Sequence, residues 1–490
     1  MMLKSSILNI LSNRINKVIV FRICFILALI TAFVFGFKLN VINDGFWHIK
    51  VGEYIIKNRI IPHRDIFSWY GIQNKLEWIS HEWLFGIIAY LIYKIKGFAS
   101  VIIFLVIINL ITCITLYKFA LIRNKNKVIS LIIMWVYIFA NANDIFYRPL
   151  LISKFLLLII FILLENKKYI AALFTLILGI NIHGGVYPLY LIVFAYYTIP
   201  KNYKYFIAAL IGIFINPYGY KLYEYTYLAM RNSDINRYIN EWVITPLYAY
   251  KLALIVICIT VCVLAVCKVK FRDFLICGAL IILAISAKRH MFVICIFVFP
   301  IISTYVIDFY HDFFDKFFEK SLTAKVKNLE TKLNYITCAI LISVLCMKSI
   351  FDAGSYLLYV NVQNLTKVVY NVDCPVKVCD YINTHEEIKN SRIFNDYNSS
   401  PYLIFRGVKT FVDTREDLFT YNFNRTNAFV DQIKALNDYN YMIYVFKKYK
   451  IQYAILRDDM NNTKLLRDND WTYKIYDDNT YSIFEINSYK

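Results

Sequence analysis

The sequence predicts a polytopic α-helical membrane protein of about eleven spans with an extracytoplasmic α/β domain at its C-terminal end. Three observations carry that expectation. Of the 490 residues, 59% are hydrophobic and only 18% charged, whereas a soluble domain carries about 25% charge. Apolar runs recur along the first 350 residues at lengths suited to crossing a bilayer, roughly 17–25 residues at 1.5 Å rise. The net charge of +20 is confined to that part: 37 basic and 16 acidic residues precede position 351, and 17 and 18 follow it. An acid-binding or nucleic-acid-binding surface would not sort its charge in this way, so no nucleic-acid partner is expected.

The expected spans are about 18–39, 99–121, 128–145, 149–164, 169–182, 186–200, 205–217, 248–267, 273–287, 291–308 and 335–351. Basic residues gather before the first span (Lys4, Arg14, Lys17) and after the even-numbered ones: Arg123, Lys125 and Lys127; Lys167 and Lys168; Lys201 and Lys204; Lys268, Lys270 and Arg272; and Lys316 to Lys332. The positive-inside rule makes these cytoplasmic. The chain is therefore expected to be a multi-pass cell-membrane protein with residues 1–17 inside, a membrane domain over 18–351, and residues 352–490 outside. The N-terminal apolar run, preceded by basic residues, is long and no small-residue cleavage site follows it, so it reads as an anchor.

Segment 81–95 is apolar but short, and a crossing there would move the basic loop at 123–127 to the outside. It is read as an interfacial helix ending at Gly97. Residues 309–334 alternate aromatic pairs with charges, as a cytoplasmic surface helix would. In the tail, strands are expected at Arg392–Phe394, Thr410–Val412, Tyr453–Leu456 and Tyr481–Phe484, with helices at about 376–384 and 427–449. Nine of the eleven cysteines lie in or beside apolar segments as small hydrophobes, and Cys374 and Cys379 are equally compatible with a local disulfide and with two thiols.

The polar groups capable of chemistry collect on the outer side. Loop 40–98 holds Asp44, Trp47 and His48 within one helical turn, then Pro62-His63-Arg64-Asp65 and His81-Glu82-Trp83. Asp44 is also placed to cap a helix, but a cap requires neither the histidines nor the later acids. The other outer turns contribute Arg148, His183 before Gly184-Gly185, and Lys288-Arg289-His290. Cations on this side run against the positive-inside bias, and a lipid phosphate is a partner that would hold them. No glycine-rich phosphate loop, G-x-S-x-G or H-E-x-x-H occurs.

The order D-x-x-W-H, I-P-H-x-D-x-F-S, W-x-x-H-E-W-L, N-I-H-G-G, N-P-Y-G-Y and E-W, then F-N-D-Y-N and F-V-D-T-R-E-D-L, spans residues 40–485. It resembles bacterial multi-pass proteins similar to the C-type (GT-C) glycosyltransferases. The resemblance implies an inverting transferase that takes a sugar from a polyprenyl-phosphate carrier at the outer leaflet and passes it to a glycan, lipid or protein acceptor. It implies Asp44 as base or metal ligand, with Asp65 and Glu82 as further catalytic candidates. His48, His81, Arg148, His183, Lys288, Arg289, Asn395, Asp396, Asp413 and Arg415 are its substrate-binding candidates. The cofactor is left unknown, a divalent cation being open. Three departures stand out: Phe46-Trp47 where two tryptophans are common, Ser399-Ser400-Pro401 where glycines are, and Asp413-Thr414-Arg415 where Asp-Gly-Arg is usual. A transporter or flippase, and a non-catalytic envelope protein that binds glycan or protein, are the competing expectations.

Overall fold

The computed structural model describes residues 14–37, 43–142, 144–318, 344, 347, 351 and 373–487. Helix α1 (Arg14–Gly36) is followed by α2 (Gly45–Asn58) and α3 (Trp83–Lys96) in the outer loop, and then by α4 (Phe98–Asn124) and α5 (Lys127–Ala140). The bundle continues through α6 (Pro149–Glu165), α7 (Tyr169–Ile182), α8 (Tyr187–Thr198), α9 (Tyr203–Gly212) and α10 (Lys221–Met230). It closes with α11 (Lys251–Val266), α12 (Phe271–Ser286) and α13 (Phe299–Phe318). Each of the first ten expected spans overlaps one of these helices. Three stretches, Val18–Gly36, Phe98–Asn124 and Lys288–Phe309, are long and apolar enough to cross a membrane, and four shorter apolar helices accompany them. The eleventh expected span lies outside the described residues apart from 344, 347 and 351, as does 319–334 of the expected surface helix.

Composition explains how these helices pack. Helices α1 and α4 have little amphipathicity yet bury one side each, with Ala28, Ala32, Val101 and Leu105 fully enclosed and Ile23, Ile26, Ile103 and Ile107 exposed. An apolar exposed face is what lipid-facing helices present. At the bundle end that carries the basic loops, Arg123 donates to Glu165 at 2.8 Å, Tyr197 to the same carboxylate at 2.7 Å, and Tyr196 and Tyr305 to Asp273. These bonds tie α4, α6, α8, α12 and α13 by side chains that satisfy one another's charge.

The segment expected as interfacial is helix α3, stopped at Gly97, whose φ of +59° suits a residue without Cβ. It lies against α2 through a glycine pair. A Cβ on Gly52 would land on the Gly86 carbonyl, and one on Gly86 would meet Val51 Cγ1 at 2.6 Å. Gly52→Ala is therefore expected to destabilise the protein by about 1–3 kcal/mol through overpacking, seen as a lower thermal midpoint in detergent.

The tail is a four-stranded sheet in the order β1-β2-β4-β3, with β1 (Ile393–Asn395), β2 (Tyr453–Arg457), β3 (Thr472–Asp477) and β4 (Tyr481–Ile486). Strands β1 and β2 are parallel, Ile393 opposite Tyr453, and the other pairs antiparallel. Helices α14 (Val376–Thr384), α15 (Ala428–Asn437), α16 (Tyr439–Tyr449) and α17 (Asn461–Arg467) surround it. Two expectations need correction. Thr410–Val412 is not a strand, because the Asn395 side chain takes the place of a neighbour: its Oδ1 accepts from Phe411 N at 2.8 Å and its Nδ2 donates to Val412 O at 3.1 Å. The single helix expected over 427–449 is two, divided at Asp438, which caps α16 by accepting from Asn440 N and Tyr441 N. Cys374 and Cys379 are not bonded to each other.

Candidate active site

A cavity of about 450 Å³ opens between one end of the bundle helices and the tail. Asp44 stands just ahead of α2 but makes no side-chain cap there. Its Oδ1 instead accepts from Thr414 Oγ1 at 2.7 Å, and its Oδ2 pairs with Arg148 Nη2 at 2.8 Å. Burial raises its pKa, with Arg148 and Thr414 acting against the rise. Arg148, at the residue before α6, also pairs with Glu241. A tail hydroxyl and a bundle guanidinium thus fix one carboxylate from two sides.

Beside it lies a second carboxylate ringed by imidazoles. Glu82, at the start of α3, approaches the Nε2 atoms of His48, His81 and His183, each at 3.4 Å. One turn after Asp44, His48 is 1% exposed and packed on Trp47 and Phe85. His81 stacks on Tyr225 at 4.3 Å. His183 ends α7, where the Ser153 hydroxyl donates to Pro149 O at 3.1 Å and so accepts from His183 Nδ1 at 3.1 Å, leaving Nε2 as the lone-pair nitrogen toward Glu82. Burial pushes His183 down to about 3 and His48 to about 4. For Glu82 the burial penalty is outweighed by His81 and its two companions, so its pKa falls. Gly184 has a different use from the one its sequence suggests: its N–H donates to His81 O at 3.0 Å, and a Cβ there would meet Leu222 at 2.7 Å. The absent side chain admits the His81 loop, not a ligand.

Arg289, in the turn Lys288–His290, lies over the Trp242 ring at 4.4 Å and borders the cavity. Among the described residues its guanidinium has no carboxylate within ion-pair distance. Lys288 does not itself border the cavity; it donates to Asn240, which does.

The tail closes the cavity with Thr414, Arg415, Glu416 and Asp417. Glu416 is pushed up to about 8 by burial and by Asp417, and Asp417 to about 6 chiefly by burial. Sequence reasoning passed over these two acids and Glu241, although E-D and E-W stand in the motifs; their signal was an excess of acid among outer residues that only chain closure brings together.

Three of the sequence candidates serve the architecture instead. Arg415 Nη2 pairs with Asp65 Oδ1 at 2.8 Å and Asp413 Oδ2 at 2.6 Å, beneath Trp78 at 4.4 Å. Asp65 accepts in addition from Phe67 N and the Ser68 hydroxyl. Its oxygens are committed, and it does not border the cavity, so the expectation of Asp65 as a base is corrected to that of a brace between loop and tail. Asp413 is the other half of that brace. Asn395 is spent on the backbone bonds given above, and Asp396 borders a separate groove. The structure therefore brings together Asp44, His48, His81, Glu82, Arg148, His183, Arg289 and Arg415, and leaves Asp65, Lys288, Asn395, Asp396 and Asp413 outside.

No protein-family model matches the sequence, and no curated protein sequence matches it. Solved structures do. The Archaeoglobus fulgidus oligosaccharyltransferase tethered to an acceptor peptide containing the NVT sequon aligns over 89% of this chain and 69% of its own, with 10% identity and a TM-score of 0.54. The same enzyme in the apo form aligns over 88% and 69%, with 11% identity and a TM-score of 0.48. The chain thus shares its fold with that oligosaccharyltransferase, in keeping with the GT-C resemblance of its motifs, and three of its helices are long and apolar enough to cross a membrane.

Proposed function

We propose that the protein is a membrane glycosyltransferase that takes a sugar from a polyprenyl-phosphate carrier at the outer leaflet, in an inverting displacement with Asp44 as base. In this reading the chain crosses the membrane eleven times over residues 18–351, with 1–17 cytoplasmic and 352–490 extracytoplasmic. The observation that carries it is the single cavity into which Asp44, Glu82, three histidines, Arg148 and Arg289 project. Asp44 would take the acceptor proton, and its bonds to Arg148 and Thr414 hold it in one orientation for that task. Arg289, whose guanidinium lacks a carboxylate partner among the described residues, would bind the donor phosphate bidentately. Helix α10 is suited to separate cavity from lipid: Tyr225 and Ala229 border the cavity, while Tyr223, Tyr227 and Met230 are exposed.

His81, Glu82 and His183 offer ligand atoms within 4.8 Å of one another. Their 3.4 Å separations match the edge of about 3.3 Å expected between donors in a tetrahedral zinc-type site. The lone pair of His183 Nε2, turned on the Glu82 carboxylate, repels it unless a cation lies between, so the donor set fits a divalent ion. Such an ion would supply charge to the leaving phosphate; the Ser153 bond to His183 would keep the ligand nitrogen turned inward.

The test is the purified protein in lipid vesicles, supplied with polyprenyl-phosphate sugars and a panel of glycan, lipid and peptide acceptors. Release of polyprenyl phosphate is expected; transport of the donor without release would replace the transferase reading by a flippase. Arg289→Ala is expected to raise the donor KM about 10–100-fold, the equivalent of a charged hydrogen-bond pair, with partial recovery in Arg289→Lys.

A further inference from the structure

A second concavity, of about 390 Å³, lies on the tail where the parallel strands β1 and β2 end. Its volume is within the range of small-ligand clefts, roughly 300–1,000 Å³. The position has a physical reason: both strands deliver their following loops to the same end of the sheet, and the crevice between those loops is where open α/β sheets bind ligands. Asp396 and Asn398 follow β1, Met460 and Asn461 follow β2, and Leu436 and Asn437 of α15 form the wall.

The groove adjoins the central cavity. Tyr397, Asn398 and Ile433 border both. A chain seated in the groove would therefore have its end at Tyr397, whose hydroxyl donates to Glu416 at 3.3 Å inside the cavity.

The lining says what kind of chain. It holds no Lys or Arg, and its one acid, Asp396, is 1% exposed and already accepts from Ser399 N. Asn398 and Asn461 are exposed with side chains that no other described residue engages, and Asn437 uses only its Nδ2, on Ile433 O. Each such amide both donates and accepts, as hydroxyl groups require. Met460, Leu436 and Ile433 supply apolar surface between the amides. A peptide ladder finds no purchase, because β1 is paired with β2 on one side and its Asn395 side chain occupies Phe411 and Val412 on the other.

We propose that this groove binds the acceptor, and that the acceptor is an uncharged oligosaccharide read through its hydroxyls by Asn398, Asn437 and Asn461. The proposal rests on the transferase reading of the central cavity for the word acceptor, and on the groove alone for the binding.

The experiment uses the full chain in lipid nanodiscs and linear hexasaccharides of glucose, mannose and N-acetylglucosamine, with saturation-transfer NMR and titration of the bound fraction. At least one is expected to bind. The double variant Asn437→Ala/Asn461→Ala should weaken it about tenfold or more at unchanged thermal midpoint, Leu436→Trp should block it by filling the groove, and Asp44→Asn should bind as wild type does. Equal binding by wild type and both groove variants, no binding of any hexasaccharide, or binding of an NVT-containing peptide in competition with none of them would overturn the proposal. Turnover of a donor without groove binding leaves the transferase and removes the groove; sugar binding with no donor consumed does the reverse.

Discussion

Asp44→Asn should lower turnover about 10³-fold, the loss typical of a removed general base, while donor binding and folding persist. The amide has the same shape and its oxygen still accepts from Thr414, while its NH2 loses the pairing with Arg148, which keeps Glu241; the fold survives and the basicity does not. Asp65→Asn is the informative contrast. It breaks a buried pair with Arg415 and should cost about 3–5 kcal/mol of stability, lowering the thermal midpoint and the amount of folded protein while the turnover of what remains folded changes little. Steady-state kinetics beside thermal denaturation separates the two. Equal turnover by Asp44→Asn and wild type would remove Asp44 from the chemistry.

The second large effect concerns the carboxylate among the histidines. Wild-type protein is expected to hold about one divalent ion per chain by elemental analysis, and Glu82→Gln or His183→Ala to hold almost none, with turnover falling about 100-fold or more. Ser153→Ala should weaken the ion about tenfold by freeing the His183 ring, which a structural role for that serine would not do. Ion-free wild-type protein with full activity in chelator would overturn the cation assignment, leaving Glu82 as a carboxylate neutralised by shared imidazole protons.

The sequence made the outer residues legible because a bilayer sorts them. Hydropathy located helices at ten expected spans, and the side on which Lys and Arg collected told which loops face Asp44. That logic grouped His48, His81, His183, Arg148 and Arg289 on one side of the expected bundle without any knowledge of packing, and they border one cavity. It could not separate Asp44 from Asp65, since both are acids of the same loop; the difference is that Arg415, 350 residues away, claims one and Thr414 the other. Nor could local pattern find β3 in place of Thr410–Val412. Tyr473 and Lys474 of β3 are exposed and give a weak alternation, whereas the buried Phe411 and Val412 read as strand while a side-chain amide supplies their hydrogen bonds. Thr414 stood out only as a departure from glycine, and the structure gives the substitution a contact at Asp44.

That contact spans 370 residues of chain. Asp44 is synthesised 370 residues before the hydroxyl that orients it. Until the tail has folded and docked, the carboxylate has only Arg148, and the cavity lacks a wall. The order of the polypeptide thus acts as a timer: a chain made only as far as the bundle has no assembled site.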